Sequence, residues 1–226
     1  MHFRGIREYL RWRGPGTVFL LSLRELFKPL LYWHVWHIYE TDLSRGISQP
    51  YGDPIFDVAI HTHRDDLSSL KPQLLSLGEL SAVELDKRFQ RGDAVAVASF
   101  SGQAVGYMWI TFASGTELEF DTYWIIRSGE ALRYGSFVVP SFRGRGIHSL
   151  LYSALHAYAL QVGVTRSLGS VSVLNPQSLK LPRHYHRVIA MTLFLARFRF
   201  PSFTFRKSFR APLSSRFSWP GHPPRP

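Results

Sequence analysis

Along the middle of the chain apolar residues alternate with small or polar ones in two runs, 94–100 and 103–112, separated by Ser101-Gly102. A period of two on either side of a two-residue turn predicts a β-hairpin. Similar alternation predicts strands over 55–63 and 117–126. Arg127-Ser128-Gly129 then turns the chain into a strand over 131–139. A different period appears over 146–161, where Leu150, Leu151, Ala154, Leu155, Tyr158 and Ala159 share one face, as in an amphipathic helix that Gly163 closes. Upstream, 65–77 reads as a helix with a break near Pro72. Ser81 followed by Glu84 forms a capping box for a helix ending near Gln90. Downstream, 168–174 reads as a strand and Asn175-Pro176 as the start of a helical turn. Strands follow over 189–196 and 198–205.

The unit running from Val138 through the 146–161 helix to Val171 is a strand–helix–strand crossover. Such crossovers are right-handed, so its two strands should be parallel. The expected fold class is α/β in the α+β layered sense: a mixed, mostly antiparallel central sheet with helices on both faces. Residues 17–39 place apolar side chains at three- and four-residue spacing, which predicts an amphipathic helix, and Pro- and Gly-containing 41–54 reads as a connection. The domain boundaries that follow are an N-terminal helical extension and linker over 1–54, a folded domain over 55–205, and a Pro-, Ser- and Arg-rich tail over 206–226 expected to be disordered.

Composition adds two constraints. None of the 226 residues is cysteine, so disulfides, thiolate metal sites and cysteine nucleophiles are excluded. The net charge of +11 is concentrated at the ends, with +3 over residues 1–16, +7 over 197–226 and +1 in between. Basic ends can contact nucleic acid or an anionic membrane surface, and Tyr32, Trp33, Trp36 and Tyr39 suit an interface. Arg24, Glu25, Lys28 and Pro29 interrupt the apolar run at 17–39, which argues against a membrane span. The expected location is the cytoplasm, with attachment to the inner face of a membrane as the alternative. A homodimer is left open. Three histidine pairs (His34 and His37, His61 and His63, His184 and His186) lack a third ligand at suitable spacing, so no metal is expected.

The chemistry concentrates in 136–151. An apolar strand ends at Pro140, the turn Arg143-Gly144-Arg145-Gly146 follows, and a helix begins. A glycine turn opening a helix leaves backbone N–H groups free at the positive end of the helix dipole, which suits phosphate. No Gly-Lys-Ser/Thr follows, so the turn is not a P-loop. Ser149 stands where a dinucleotide fingerprint has its third glycine.

Arg143 and Gly146 in this turn, with Asn175 and Ser178 at the end of the following strand, resemble the GNAT N-acetyltransferase superfamily, whose pattern at this helix start is Gln/Arg-x-x-Gly-x-Gly/Ala. His148 departs from the small residue at the sixth position. The resemblance covers roughly residues 55–200 and implies a GNAT-like fold with an extra N-terminal helix. It also implies acetyl-CoA, or another acyl-CoA, as cosubstrate and a small-molecule or peptide amine as acceptor. It assigns acyl-CoA binding to Phe137, Val138, Val139, Arg143, Gly144, Arg145, Gly146, Ile147, His148, Asn175 and Ser178. The amides of 143–148 would hold the pyrophosphate, and a backbone N–H near Val138 would polarise the thioester carbonyl. The family's acidic tyrosine has its nearest counterpart in Tyr185. Among Glu117, Glu119 and Asp121, which alternate along one strand, Glu119 is chosen as base. The alternative reading is a non-catalytic binding module with a degenerate transferase core, docking through its basic ends.

Overall fold

The computed structural model describes residues 15–45, 51–62, 67–119, 122–179, 191–200, 202–208 and 217–218. In chain order its elements are α1 (Pro15–Phe27), β1 (Leu31–Asp42), β2 (Asp57–His61), α2 (Leu70–Ser76), α3 (Ala82–Gln90), β3 (Ala94–Phe100), β4 (Gln103–Thr111), β5 (Glu117–Glu119), β6 (Thr122–Trp124), β7 (Glu130–Val138), α4 (Ile147–Gln161), β8 (Arg166–Ser172), α5 (Pro176–Leu179), β9 (Met191–Arg199), β10 (Ser202–Ser208) and β11 (Phe217–Ser218). The fold is a mixed α/β arrangement with a mostly antiparallel sheet, as expected. The chain divides into two units, one comprising Thr41–Ser114 and Ile126–Gly169, the other Met1–Glu40, Gly115–Ile125 and Ser170–Arg225.

In the first unit the strand order is β8-β7-β4-β3-β2. The pairs β2–β3, β3–β4 and β4–β7 are antiparallel, and β7–β8 is parallel, as the crossover rule requires. The hairpin turn has Ser101 and Gly102 both at positive φ (50° and 77°), the backbone that matches strand twist. The alternating pattern of β3 and β4 buries both faces. Val95, Val97, Tyr107 and Trp109 pack against Leu70 and Leu74 of α2 and Leu85 and Phe89 of α3. The opposite face meets α4, where Ile147, Leu151, Leu155 and Ala159 recur every four residues and are all buried. Each large one contributes roughly 1.5–3 kcal/mol on burial. Ser81 caps α3, its Oγ accepting from the Glu84 amide at 3.2 Å.

In the second unit β9 pairs antiparallel with both β1 and β10, while β5, β6 and β11 form a small sheet of their own. Here the sequence reading needs correction. The helix expected over 17–39 ends at Phe27, and Leu31–Asp42 is a strand, with Leu31 opposite Phe198 and Ile38 opposite Met191. Leu31–Asp42 is rich in aromatic and β-branched residues, which suit a strand, and a partner more than 150 residues away selects it. The strand expected over 117–126 is instead the two short strands β5 and β6. Residues 202–208 and 217–218 are strands, although the tail from 206 was expected to be disordered. The α1 residues Phe19, Leu20, Leu26 and Phe27 are exposed, while the Arg24 guanidinium sits 4.8 Å above the Tyr32 ring. Among the described residues no helix is long and apolar enough to cross a membrane.

Candidate active site

The turn before α4 is built on glycine conformations. Gly144 and Gly146 have φ of 82° and 80°, and Gly146 is the N-cap of α4, with no side chain capping the helix. The first helical bonds come from the Ser149 and Leu150 amides to the Gly146 carbonyl. Among the described residues, none of the amides of Gly144, Arg145, Gly146, Ile147 and His148 donates to a backbone carbonyl. Several neighbouring donors at a helix N-terminus are the requirement for a phosphate-bearing ligand, so the residues fit the pyrophosphate of an acyl-CoA.

The turn is held in place from several sides. The Phe142 ring meets Phe56 and Phe100 at centroid distances of 6.0 and 5.6 Å. The Arg143 side chain donates through Nε to the Val138 carbonyl at 3.0 Å, and the Arg145 guanidinium lies 5.7 Å from the Phe142 ring centre. The expected linker contributes directly: the Tyr51 amide donates to Ser149 Oγ at 3.2 Å, and the Asp53 amide to the Arg145 carbonyl at 3.2 Å. The fit is close enough that a Cβ on Gly146 would lie 2.5 Å from Gly52 Cα and 2.6 Å from the Tyr51 carbonyl oxygen. Nothing in the sequence signalled this strap, because Tyr51-Gly52-Asp53 reads as an ordinary turn.

Strand β7 leads into the turn. Its parallel ladder with β8 has four pairs and ends at Arg133 opposite Gly169, while β7 itself runs on to Val138. On its other edge the Val139 amide donates to the Val105 carbonyl. Antiparallel ladders alternate, so Val138, opposite Gly106, directs its own N–H and C=O away from β4. The Arg143 bond to the Val138 carbonyl agrees with that orientation. Of the three residues proposed from sequence on this strand, Val138 therefore has an outward amide. The Val139 amide is engaged with β4, and by alternation so is that of Phe137. Between the pairs Tyr107–Phe137 and Trp109–Tyr134 the ladder slips, leaving Gly135 and Ser136 opposite Met108 alone. This is a bulge with glycine at φ 53°, and both its residues are exposed.

His148, the departure from the family pattern, turns along α4. Its ring stacks near Tyr152 at 6.3 Å, and the Arg133 guanidinium covers the other end of this group, 4.2 Å from the Tyr152 ring centre. Burial, and then the charge of Arg133, lower the His148 pKa from 6.5 to about 4, so the ring is neutral at pH 7. The folded protein resists protonating this ring whereas the unfolded chain accepts the proton near pH 6.5. Its contribution to stability is thus present above pH 6.5 and is lost as pH falls from 6.5 towards 4, by at most about 1.4 kcal/mol per pH unit. Urea unfolding at pH 7, 6 and 5 should show His148→Phe losing less stability than the wild type over that range; parallel curves would rule the effect out.

Beneath the bulge lies a polar cluster absent from the sequence reading. Asp93 is fully buried and accepts from Arg91 Nη2 at 2.5 Å and from the Tyr134 hydroxyl. Burial, and then the Asp93 charge, raise the Tyr134 pKa, keeping the phenol protonated as a donor. In the sequence Arg91-Gly92-Asp93 is only the segment that follows the helix ending near Gln90. On α3, Arg88 pairs with Glu84 through Nε at 2.9 Å and lies over Trp109 and Tyr134.

The remaining sequence candidates fall elsewhere. Asn175 Oδ1 accepts from the Ser178 amide at 3.3 Å, making it the cap of α5. Glu119 lies in β5 of the second unit. Tyr185, His184, His186, His63 and Asp121 lie outside the described residues. His34 and His37 are on strand β1; His34 Nε2 is 2.6 Å from Ser172 Oγ, and His37 Nδ1 is 3.4 Å from the Tyr39 hydroxyl. Among the described residues no cluster of three metal-ligating side chains occurs. A hollow of about 730 Å³ lined by Phe112, Ile126, Arg127, Tyr158 and Val162 lies at the C-terminal end of α4 and includes none of the turn residues.

Residues 62–186 match the family model described as acetyltransferase (GNAT) family. Among curated proteins, none matches the sequence. Of solved structures, a GCN5-related N-acetyltransferase from Kribbella flavida aligns with TM-score 0.51 and 13% identity, covering 80% of this chain and 63% of its own. One from Sphaerobacter thermophilus aligns with TM-score 0.51 and 16% identity, over 84% and 56%. A functionally unknown conserved protein from Staphylococcus epidermidis aligns with TM-score 0.50 and 14% identity, over 79% and 66%. At these identities the likeness is one of fold, and the chain spans 56–66% of the length of these three proteins.

Proposed function

The chain belongs to the GNAT acetyltransferase family, and from that premise we propose that it transfers an acetyl group from acetyl-CoA to a primary amine by direct attack on the thioester. The observation that carries this reading is the row of amides from Gly144 to His148, without backbone acceptors among the described residues, at the start of α4. These amides would hold the pyrophosphate, helped by the dipole of α4. The Val138 N–H, directed away from β4, is the donor placed to stabilise the oxyanion that develops on the carbonyl under attack. The cosubstrate supplies an electrophilic thioester carbonyl, whose C–S bond breaks as the C–N bond forms. The amine must shed a proton, for which we assign Glu119 as acceptor from the alternation of acids along 117–121, and the departing thiolate must gain one, for which we assign Tyr185 as donor from the family resemblance. The assignment of Asn175 and Ser178 to cosubstrate binding rests on the family resemblance alone.

Calorimetric titration with acetyl-CoA, followed by thiol release over a panel of amines, tests the proposal. Saturable binding and amine-dependent release are expected. No heat at millimolar ligand would overturn it. Salt-dependent binding to anionic vesicles or nucleic acid in its place would favour the non-catalytic reading.

A further inference from the structure

Arg88 is a buried arginine, one of whose terminal nitrogens is both buried and unused. The residue is 9% exposed, its Nε is held by Glu84, and its plane lies 5.1 Å from the Trp109 ring centre and 4.7 Å from that of Tyr134. Its Nη1 is buried and has no hydrogen-bond partner among the described residues. That nitrogen lies against the β7 bulge, 2.7 Å from where a Cβ on Gly135 would stand. The neighbouring arginine differs: Arg91 has Asp93 and the Tyr134 hydroxyl as partners. A buried N–H left unpaired carries its full desolvation cost, so each one in a folded protein calls for an explanation. The side chain is locked between two rings, so the donor is fixed in direction. It is aimed at the stretch of β7 that precedes the outward amide of Val138, and the bulge residues Gly135 and Ser136 are exposed.

Resting on the acetyl-transfer reading above, we infer that Arg88 recognises the acceptor and that the acceptor carries an anionic oxygen, of a carboxylate or a phosphate, close to its amine. A guanidinium donates to such oxygens in paired, charge-assisted hydrogen bonds. Its charge also works against acceptors that bring several ammonium groups. Glu84 offsets only part of that charge, because its side chain is 46% exposed and screened by solvent. Arg88 is therefore a specificity residue, with no part in moving protons.

The test uses the full chain and matched acceptors: β-alanine against propylamine, phosphoethanolamine against ethanolamine, and spermidine as the polycation. Thiol release can be read directly with a thiol reagent, because the protein has no cysteine of its own. The wild type should favour the anionic member of at least one pair by about tenfold or more in kcat/KM, the size of one charge-assisted hydrogen bond. The two pairs separate carboxylate from phosphate. Arg88→Met, which keeps the packing against the rings, should bring the ratio near one, and Arg88→Lys should restore part of it. Acetyl-CoA affinity serves as the control for an intact fold. A wild-type preference for spermidine, or a ratio that survives in Arg88→Met, would overturn the inference. If Arg88→Met does not fold, the wild-type ratios together with Arg88→Lys decide. If the wild type binds no acetyl-CoA, the acetyl-transfer reading falls on its own. Titration with β-alanine and phosphoethanolamine then decides for Arg88: binding lost in Arg88→Met upholds the site, and no binding overturns it.

Discussion

Gly146→Ala is expected to abolish acetyl-CoA binding, with a loss of more than about 100-fold in affinity, whereas Gly144→Ala should cost much less. Both glycines have φ near 80°, so both substitutions incur the left-handed penalty of roughly 1–2 kcal/mol. Their surroundings separate them. A Cβ at Gly144 meets nothing within 4 Å, while one at Gly146 would press on the Gly52 Cα at 2.5 Å and the Tyr51 carbonyl oxygen at 2.6 Å. Those are backbone atoms and cannot swing aside like the end of a side chain. Either the strap at 51–53 lifts or the start of α4 shifts, and both move the amides of Ile147 and His148. Overpacking of this kind adds roughly 1–3 kcal/mol to the strain. Calorimetric titration and thermal unfolding of the two variants side by side provide the check. Equal losses at the two positions would mean that the strap does not position the turn.

Asp93→Ala should be the most destabilising single substitution in the polar cluster, at about 3–5 kcal/mol, because it leaves a half-buried cation and a half-buried phenol without their acceptor. Asp93 has no exposed surface, and it joins Arg91 to Tyr134 at the point where β7 approaches its bulge. Asp93→Asn keeps one acceptor oxygen and should lose less. Urea unfolding at pH 7 measures both. A loss under about 1 kcal/mol for Asp93→Ala would show that Arg91 finds water in its place, as exposed ion pairs do.

Several features were legible because their causes are local. The Ser81–Glu84 cap and the Ser101-Gly102 turn follow from residues within four positions of each other. The β7–α4–β8 crossover follows from handedness. The turn at 143–146 was legible for the same reason, since glycines ahead of a helix leave its first amides unbonded wherever the helix packs. Leu31–Asp42 was misread because its apolar spacing is compatible with a helix, and its pairing with Met191–Arg199 lies far along the chain. The His148 orientation depended on Arg133 and Tyr152, which no local pattern links to it.

By itself, then, the sequence determined the order of elements through the Ser101-Gly102 hairpin and the β7–α4–β8 crossover, the glycine turn that opens α4, and the absence of any thiol. These are properties of short windows, where backbone preference and side-chain period act directly. Only the tertiary structure decided that Val138 turns its amide outward while Val139 does not, that Tyr51-Gly52-Asp53 closes over Gly146, and that Arg88 reaches the bulge with a donor unpaired. Each depends on which distant backbone fills the neighbouring space. Ladder register and close packing set that, and a one-residue slip of β7 against β4 would reverse the direction of every amide in the strand.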